Sequence, residues 1–173
     1  LAEEHIKNEP FAILLPDDLF FSEESCLTQL SKVYALKENS VVAVNKVDSK
    51  NIHKYGVINP GQIEGRSIDI IDIVEKPKLE NAPSNIAVCG RYILNSSIFD
   101  YLKKVKPDNS GEIQLTDAIK MMLESESVSA CIYEGEKFDC GSKKGFVEAT
   151  IAIALRDPEI RDDIKSFIFK EKS

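Results

Sequence analysis

The order of apolar runs and helical repeats in this sequence predicts an α/β fold, a mixed, mostly parallel sheet covered by helices. Short continuous apolar runs, FAILL at 11–15 and the β-branched 41–47, have the pattern of strands buried on both faces. Between them Cys26, Leu27, Leu30, Val33 and Tyr34 recur at helical spacing. Asp17-Asp18, Glu75-Lys76 and Asp139 each follow an apolar strand, and the ends of strands are where such sheets bind ligands.

Taken in order, residues 1–10 form a polar lead-in with no helix-forming pattern, and with Leu1 in place of Met they read as a cut end. The strand over 11–15 stops at Pro16-Asp17-Asp18. Ser22 is placed to cap the following helix, which Asn39 ends. A strand over 41–47 and a shorter one over 55–58 precede the turn signal Asn59-Pro60-Gly61. Ile68, Ile70, Ile71, Ile73 and Val74 build a strand that delivers Glu75-Lys76-Pro77, and residues 86–94 build another around Gly90. Ser96 or Ser97 caps a helix carrying Ile98, Phe99, Leu102 and Val105. A loop with Pro107, Asn109 and Gly111 then leads to a helix that runs through Leu123. Short strands at 130–133 and 137–138 end at Asp139-Cys140-Gly141, and two helices follow, the second capped by Asp157 with Pro158 in its first turn.

At 173 residues and 43% hydrophobic content the chain can bury one core, so residues 1–173 are read as a single domain. With 22 basic against 29 acidic residues the net charge is −7, a sign that repels nucleic acid and anionic membranes. A small phosphorylated ligand stays compatible, because a few local cations outweigh a global charge that salt screens beyond about 10 Å. Cys26, Cys89, Cys131 and Cys140 form no CxxC pair and follow no secretory signal, which points to a reduced, cytoplasmic chain. His5 and His53 stand at no metal-ligand spacing, so zinc is not expected, and no apolar run approaches the roughly 20 residues of a membrane span.

Asp17 and Asp139 each end a strand, where a rigid carboxylate can hold a hard cation, and the two could share one Mg²⁺. Either alone is also an ordinary turn residue. Glu75-Lys76-Pro77 sets an acceptor beside a cation, with Pro77 expected to keep Lys76 extended. At a strand end the pair can wrap one ligand, Glu75 accepting from hydroxyls and Lys76 neutralising a phosphate; a surface charge pair is the alternative. Gly56 and Gly90 inside strands mark either close approach of a backbone or a ligand, or a bulge. Glu112 and Asp117 flank a helix start, where carboxylates complement the macrodipole. Cys140, with no histidine near it in sequence, reads as structural.

The succession EPFAILLPDD, YGVI, IVEKPKLENAPSNIAVCGRYIL, GEIQLTDAI and FDCGSKKGF spans nearly the whole chain. It resembles the bacterial UTP-glucose-1-phosphate uridylyltransferases of the sugar nucleotidyltransferase family. That resemblance implies a Rossmann-like, nucleotide-diphospho-sugar transferase-like fold and the joining of UTP and glucose 1-phosphate into UDP-glucose and pyrophosphate. It makes Asp17 and Asp139 ligands of Mg²⁺, Lys76 the phosphate contact and Glu75 the contact to glucose hydroxyls. Gly56 and Gly90 would border the sugar, with Arg91 in a matching motif and Lys143 near the phosphates. Glu112, Gln114 and Asp117 fall in matching motifs without assigned roles. A homo-oligomer is implied as well.

Family members begin with a strand and a G-x-G-T-R loop that holds the triphosphate, and no such loop occurs in these residues. The resemblance therefore implies the sugar-phosphate and metal portion of the enzyme, N-terminally truncated and inactive by itself. A dTTP-using thymidylyltransferase and a non-catalytic sugar-phosphate-binding or assembly module are the competing readings.

Overall fold

The structure, a computed structural model, describes residues 2–108 and 110–170. Its elements run α1 (Glu3–Ile6), β1 (Phe11–Leu14), β2 (Asp18–Phe21), α2 (Cys26–Lys37), β3 (Ser40–Lys46), β4 (Gly56–Glu64), β5 (Ser67–Glu75), β6 (Ile86–Leu94), α3 (Ile98–Leu102), α4 (Leu115–Met122), β7 (Val128–Ile132), β8 (Glu136–Asp139), α5 (Lys143–Ala154) and α6 (Arg161–Lys170), with short 3₁₀ helices at Ser49–Lys54 and Leu79–Asn81. These separate into two compact units, one over residues 1–14 and 23–134, the other over 15–22 and 135–173. Among the described residues no helix is long and apolar enough to cross a membrane.

The first unit is built on a six-stranded mixed sheet in the order β1-β6-β3-β7-β5-β4, with β4 also touching β6 at Val57 and Ala87. The expected predominance of parallel strands is not found: among the described strands β3–β7 is the one parallel pair. A continuous apolar run reports burial on both faces and says nothing of direction. The runs Val41, Val42, Ala43 and Val44 in β3 are wholly buried, which is what produced the signal.

Val42, Val44, Ile58, Ile68, Ile73 and Leu94 from the sheet meet Ile98 of α3 and Ala118, Ile119 and Met122 of α4 in one core. Each fully buried Ile, Leu or Met side chain there contributes about 1.5–3 kcal/mol relative to exposure. Helix α2 is capped by Ser25, whose hydroxyl accepts from the Thr28 N–H at 3.1 Å, and not by Ser22. It ends at Glu38 in the left-handed region, φ 53°. The buried Gln29 fastens it to Glu134, two residues past β7: its amide donates to the Glu134 carbonyl at 2.9 Å and its oxygen accepts from the Glu134 N–H at 2.9 Å.

Several local expectations are corrected. The lead-in contains the short α1. Asn59-Pro60-Gly61 does not turn the chain; β4 continues through it with register shifts, since this stretch lies past the part of β4 that pairs with β6 and the missing Pro60 N–H costs no ladder bond on the open side. The reversal comes at Gly65, φ +60°, between β4 and β5. Ser97 precedes α3 without a side-chain cap and donates instead to Glu126 at 3.0 Å. Asn109 lies outside the described residues.

In the second unit β2 pairs antiparallel with β8, setting Asp18 directly opposite Asp139. The strand β2, DLFF, escaped the sequence reading because four residues give no resolvable period. Phe21 packs edge-on against Phe138 at 6.0 Å between centroids, and the Arg156 guanidinium lies 5.0 Å over the Phe21 ring. Asp157 does not cap α6 directly; its carboxylate takes the Glu159 N–H at 2.9 Å in a turn, and α6 starts at Arg161.

Candidate functional site

In the first unit, strand β5 ends at Glu75, which stands opposite Gly56 in the β4–β5 ladder. A Cβ built on Gly56 would lie 3.3 Å from Glu75 Oε2 and 3.0 Å from the hydroxyl of the buried Thr116 at the start of α4. Gly56 therefore clears the space in which the Glu75 carboxylate and the Thr116 hydroxyl sit, a close approach of the chain's own side chains. Gly90 realises the bulge: the β3–β6 register jumps between Val42↔Tyr92 and Val44↔Val88, leaving Gly90 in the irregular stretch.

Lys76 follows with φ 43°, where an extended backbone was expected. Its N–H donates to the Tyr55 carbonyl at 3.0 Å, which continues the β4–β5 register by one step past Gly56↔Glu75, so the left-handed turn comes at the very end of the ladder. A non-glycine residue before proline in this region is strained by about 1–3 kcal/mol, and such strain concentrates where function demands a geometry. The ammonium stands 3.3 Å from Glu75 Oε1, with the lysine side chain 53% exposed and the glutamate 20%. Cation and acceptor thus share one edge of a cleft of about 490 Å³.

Asp108, Gln114, Asp117 and Lys120 line the same cleft, whereas Gly90, Arg91 and Glu112 do not. Lys120 is engaged by Asp72 at 2.9 Å, and the Arg91 guanidinium donates to the Gly90 carbonyl at 2.9 Å. Asp108 organises the loop before α4. Its Oδ1 accepts from the Ser110 hydroxyl (2.6 Å), the Ser110 N–H (2.8 Å) and the Glu112 N–H (3.1 Å), and its Oδ2 accepts from the Gln114 amide at 2.7 Å. The Ser110 hydroxyl above all, then the Gln114 amide and the Glu112 N–H, hold the Asp108 carboxyl well below the usual carboxylate range. Neither Asp108 nor Thr116 was singled out from the sequence. The signal for Asp108 was an Asp-x-Ser-Gly turn signature.

The second unit gathers Asp17, Asp139 and Gly141. The Cys140 N–H donates to the Asp17 carbonyl at 2.7 Å and the Gly141 N–H to Asp139 Oδ1 at 3.1 Å. A Cβ built on Gly141 would meet Asp17 Oδ2 at 2.9 Å and Asp139 Oδ1 at 3.2 Å, so two carboxylate oxygens approach one point. Asp18 is committed elsewhere, to Lys137 at 2.6 Å with both side chains largely buried.

Oxygen-only donors suit a hard cation, and Mg²⁺ is commonly held through one or two carboxylates while it keeps several waters. The Asp17–Asp139 pair fits that demand. Among the described residues no group of three or more His, Cys, Asp or Glu side chains is arranged around a metal position. Lys143 opens α5 directly after Ser142, whose hydroxyl caps the helix by accepting from the Gly145 N–H at 3.0 Å.

Residues 1–155 match the family model described as Nucleotidyl transferase. The UTP--glucose-1-phosphate uridylyltransferase of Staphylococcus epidermidis is 46% identical over 167 residues, 96% of this chain and 58% of that protein. A crystal structure of UDP-glucose pyrophosphorylase complexed with UDP-glucose superposes with a TM-score of 0.86 at 40% identity, over 90% of this chain and 60% of that one. A UTP-bound enzyme of the same kind from Acinetobacter baumannii gives 0.84 at 35% identity, over 97% and 59%. The chain spans 58% of the length of the Staphylococcus relative.

Proposed function

The chain belongs to the nucleotidyl transferase family, and on that premise we propose that it supplies the sugar-phosphate and metal sites for making UDP-glucose and pyrophosphate from UTP and glucose 1-phosphate. The observation that carries the reading is the strained Lys76 beside Glu75 at the edge of the cleft. One cation and one acceptor, 3.3 Å apart, match a ligand that has a phosphate at one end and hydroxyls at the other. The names of the relatives support uridylyl over thymidylyl transfer.

In the proposed reaction an oxygen of the sugar phosphate attacks the α-phosphorus of UTP, and the bond to the β-phosphate breaks with release of pyrophosphate. The attacking oxygen is already ionised at neutral pH, so no residue needs to take a proton. Two anions must be brought together, and the work assigned to the protein is neutralisation and alignment. Lys76 offsets the charge of the sugar phosphate. Glu75, held in the gap that Gly56 leaves, accepts from the sugar hydroxyls and fixes the sugar's orientation. Asp17 and Asp139 would hold Mg²⁺, which supplies charge neutralisation at phosphate when bound. Lys143, at the N-terminus of α5, adds a cation where helix N–H groups already favour anions.

A chimera in which this chain replaces the matching segment of the Staphylococcus epidermidis relative tests the proposal. UDP-glucose formation that collapses on Lys76→Ala or Asp139→Asn is expected. Tight glucose 1-phosphate binding in a chimera that never turns over would select the non-catalytic binding module instead.

A further inference from the structure

We propose that Asp108 is a positioning residue of the Glu75–Lys76 cleft: it orients the Gln114 amide so that its oxygen is left to accept a hydroxyl of the bound sugar. The inference rests on the sugar-phosphate reading of that cleft and extends it to a further residue that positions an acceptor for the sugar.

The orientation follows from chemistry. Gln114 Nε2 stands 2.7 Å from Asp108 Oδ2 and 3.3 Å from Glu112 Oε2. Two carboxylates on one side of an amide require its NH₂ there, since an amide oxygen would meet only other acceptors. Gln114 Oε1 is thereby turned the other way, and it accepts no hydrogen bond among the described residues. Gln114 lines the cleft together with Glu75 and Lys76. Asp108 is itself fixed by three donors from Ser110 and Glu112, so the amide is aimed from a rigid base. A sugar hydroxyl is a donor that this oxygen can take, and a bare phosphate ion offers it little.

The test is a set of single and combined variants of this chain, titrated calorimetrically with glucose 1-phosphate and, separately, with inorganic phosphate. In Asp108→Asn the new side-chain oxygen still serves Ser110 and Glu112, but its NH₂ faces that of Gln114, so the amide loses its 2.7 Å partner and its fixed orientation. Glucose 1-phosphate affinity is expected to fall about tenfold, the worth of one hydrogen bond, with inorganic phosphate affinity and thermal unfolding unchanged. Adding Gln114→Glu together with Glu112→Gln, which removes the carboxylate at 3.3 Å, restores an acceptor on both sides, since one carboxylate oxygen takes the Asn NH₂ and the other faces the cleft, so most of the lost affinity returns. A merely structural role for Asp108 would not predict that rescue.

Unchanged glucose 1-phosphate affinity in Asp108→Asn overturns the proposal, as does an equal loss for both ligands or a combined variant no better than the single. If the wild-type chain fails to bind glucose 1-phosphate, the sugar-phosphate reading falls and this inference falls with it. Binding by wild type and Asp108→Asn alike removes only the role of Asp108.

Discussion

Gly56 stands directly across the β4–β5 ladder from Glu75, and a single carbon added to it would lie 3.3 Å from the glutamate carboxylate and 3.0 Å from the Thr116 hydroxyl. Those contacts make the glycine part of the acceptor's geometry as much as of the strand. Gly56→Ala is expected to cost about 1–3 kcal/mol of stability through overpacking. It should also displace Glu75, so glucose 1-phosphate affinity drops further than the loss of folded protein explains. Thermal unfolding and calorimetry on the same sample separate the two effects.

Much of this geometry was legible beforehand, and the reasons differ by residue. Glu75, Lys76 and Gly56 stood out because each breaks the pattern of an apolar strand, and the structure brings all three to one cleft edge or beside it. The backbone of Lys76 was misread: Pro77 favours an extended residue before it, and the left-handed φ at the last rung of the β4–β5 ladder is a conformation that no local rule supplies. Asp108 and Thr116 were missed for the same reason, since what they do is defined by Gln114 and Gly56 across a turn or a ladder. Strand direction was illegible because buried runs look alike in both orientations, and β2 was too short to show a period.

For the second unit, Asp139→Asn should keep the turn, because the amide oxygen can still accept from the Gly141 N–H, while the charge that holds a cation is removed. Titration with Mn²⁺, read by water proton relaxation, is expected to show at least tenfold weaker binding, which is about 1.4 kcal/mol. Asp18→Asn provides the contrast. It breaks the ion pair with Lys137 and lowers stability but leaves Mn²⁺ affinity in place. Equal effects of the two substitutions on Mn²⁺ would assign the metal differently.

Gly145 in the same unit is tighter than Gly141: a Cβ there would sit 1.9 Å from the Asp139 carbonyl oxygen. Since backbone must move, Gly145→Ala is expected to cost about 3 kcal/mol or more and to shift Asp139, so thermal stability and Mn²⁺ affinity fall together. Substitution at exposed Lys144, its neighbour, changes neither beyond about 0.5 kcal/mol.

Cys131, wholly buried in β7, has its thiol pushed up to about 11, chiefly by burial. The charged thiolate is the disfavoured form, so the stability this confers is complete below the unfolded thiol's value of 9.0 and is lost as pH rises from there through about 11. Native Cys131 should resist iodoacetamide at pH 8, react on unfolding, and give an unfolding midpoint that declines across that alkaline window. Peptide mapping by mass spectrometry after labelling reads the first two. Modification in the folded chain at pH 8 would contradict the burial argument.

The central claim is that Glu75 and Lys76 hold a sugar phosphate, and calorimetric titration of the chain with glucose 1-phosphate, wild type against Lys76→Ala, tests it most directly. The Lys76 side chain is 53% exposed and its backbone strained, so its loss should not unfold the protein. Removing a charge-assisted contact to phosphate is worth about 1.5–3 kcal/mol, so affinity should fall roughly 10- to 150-fold with thermal unfolding unchanged. Equal affinity in the two proteins, or no binding by the wild type, would contradict the assignment.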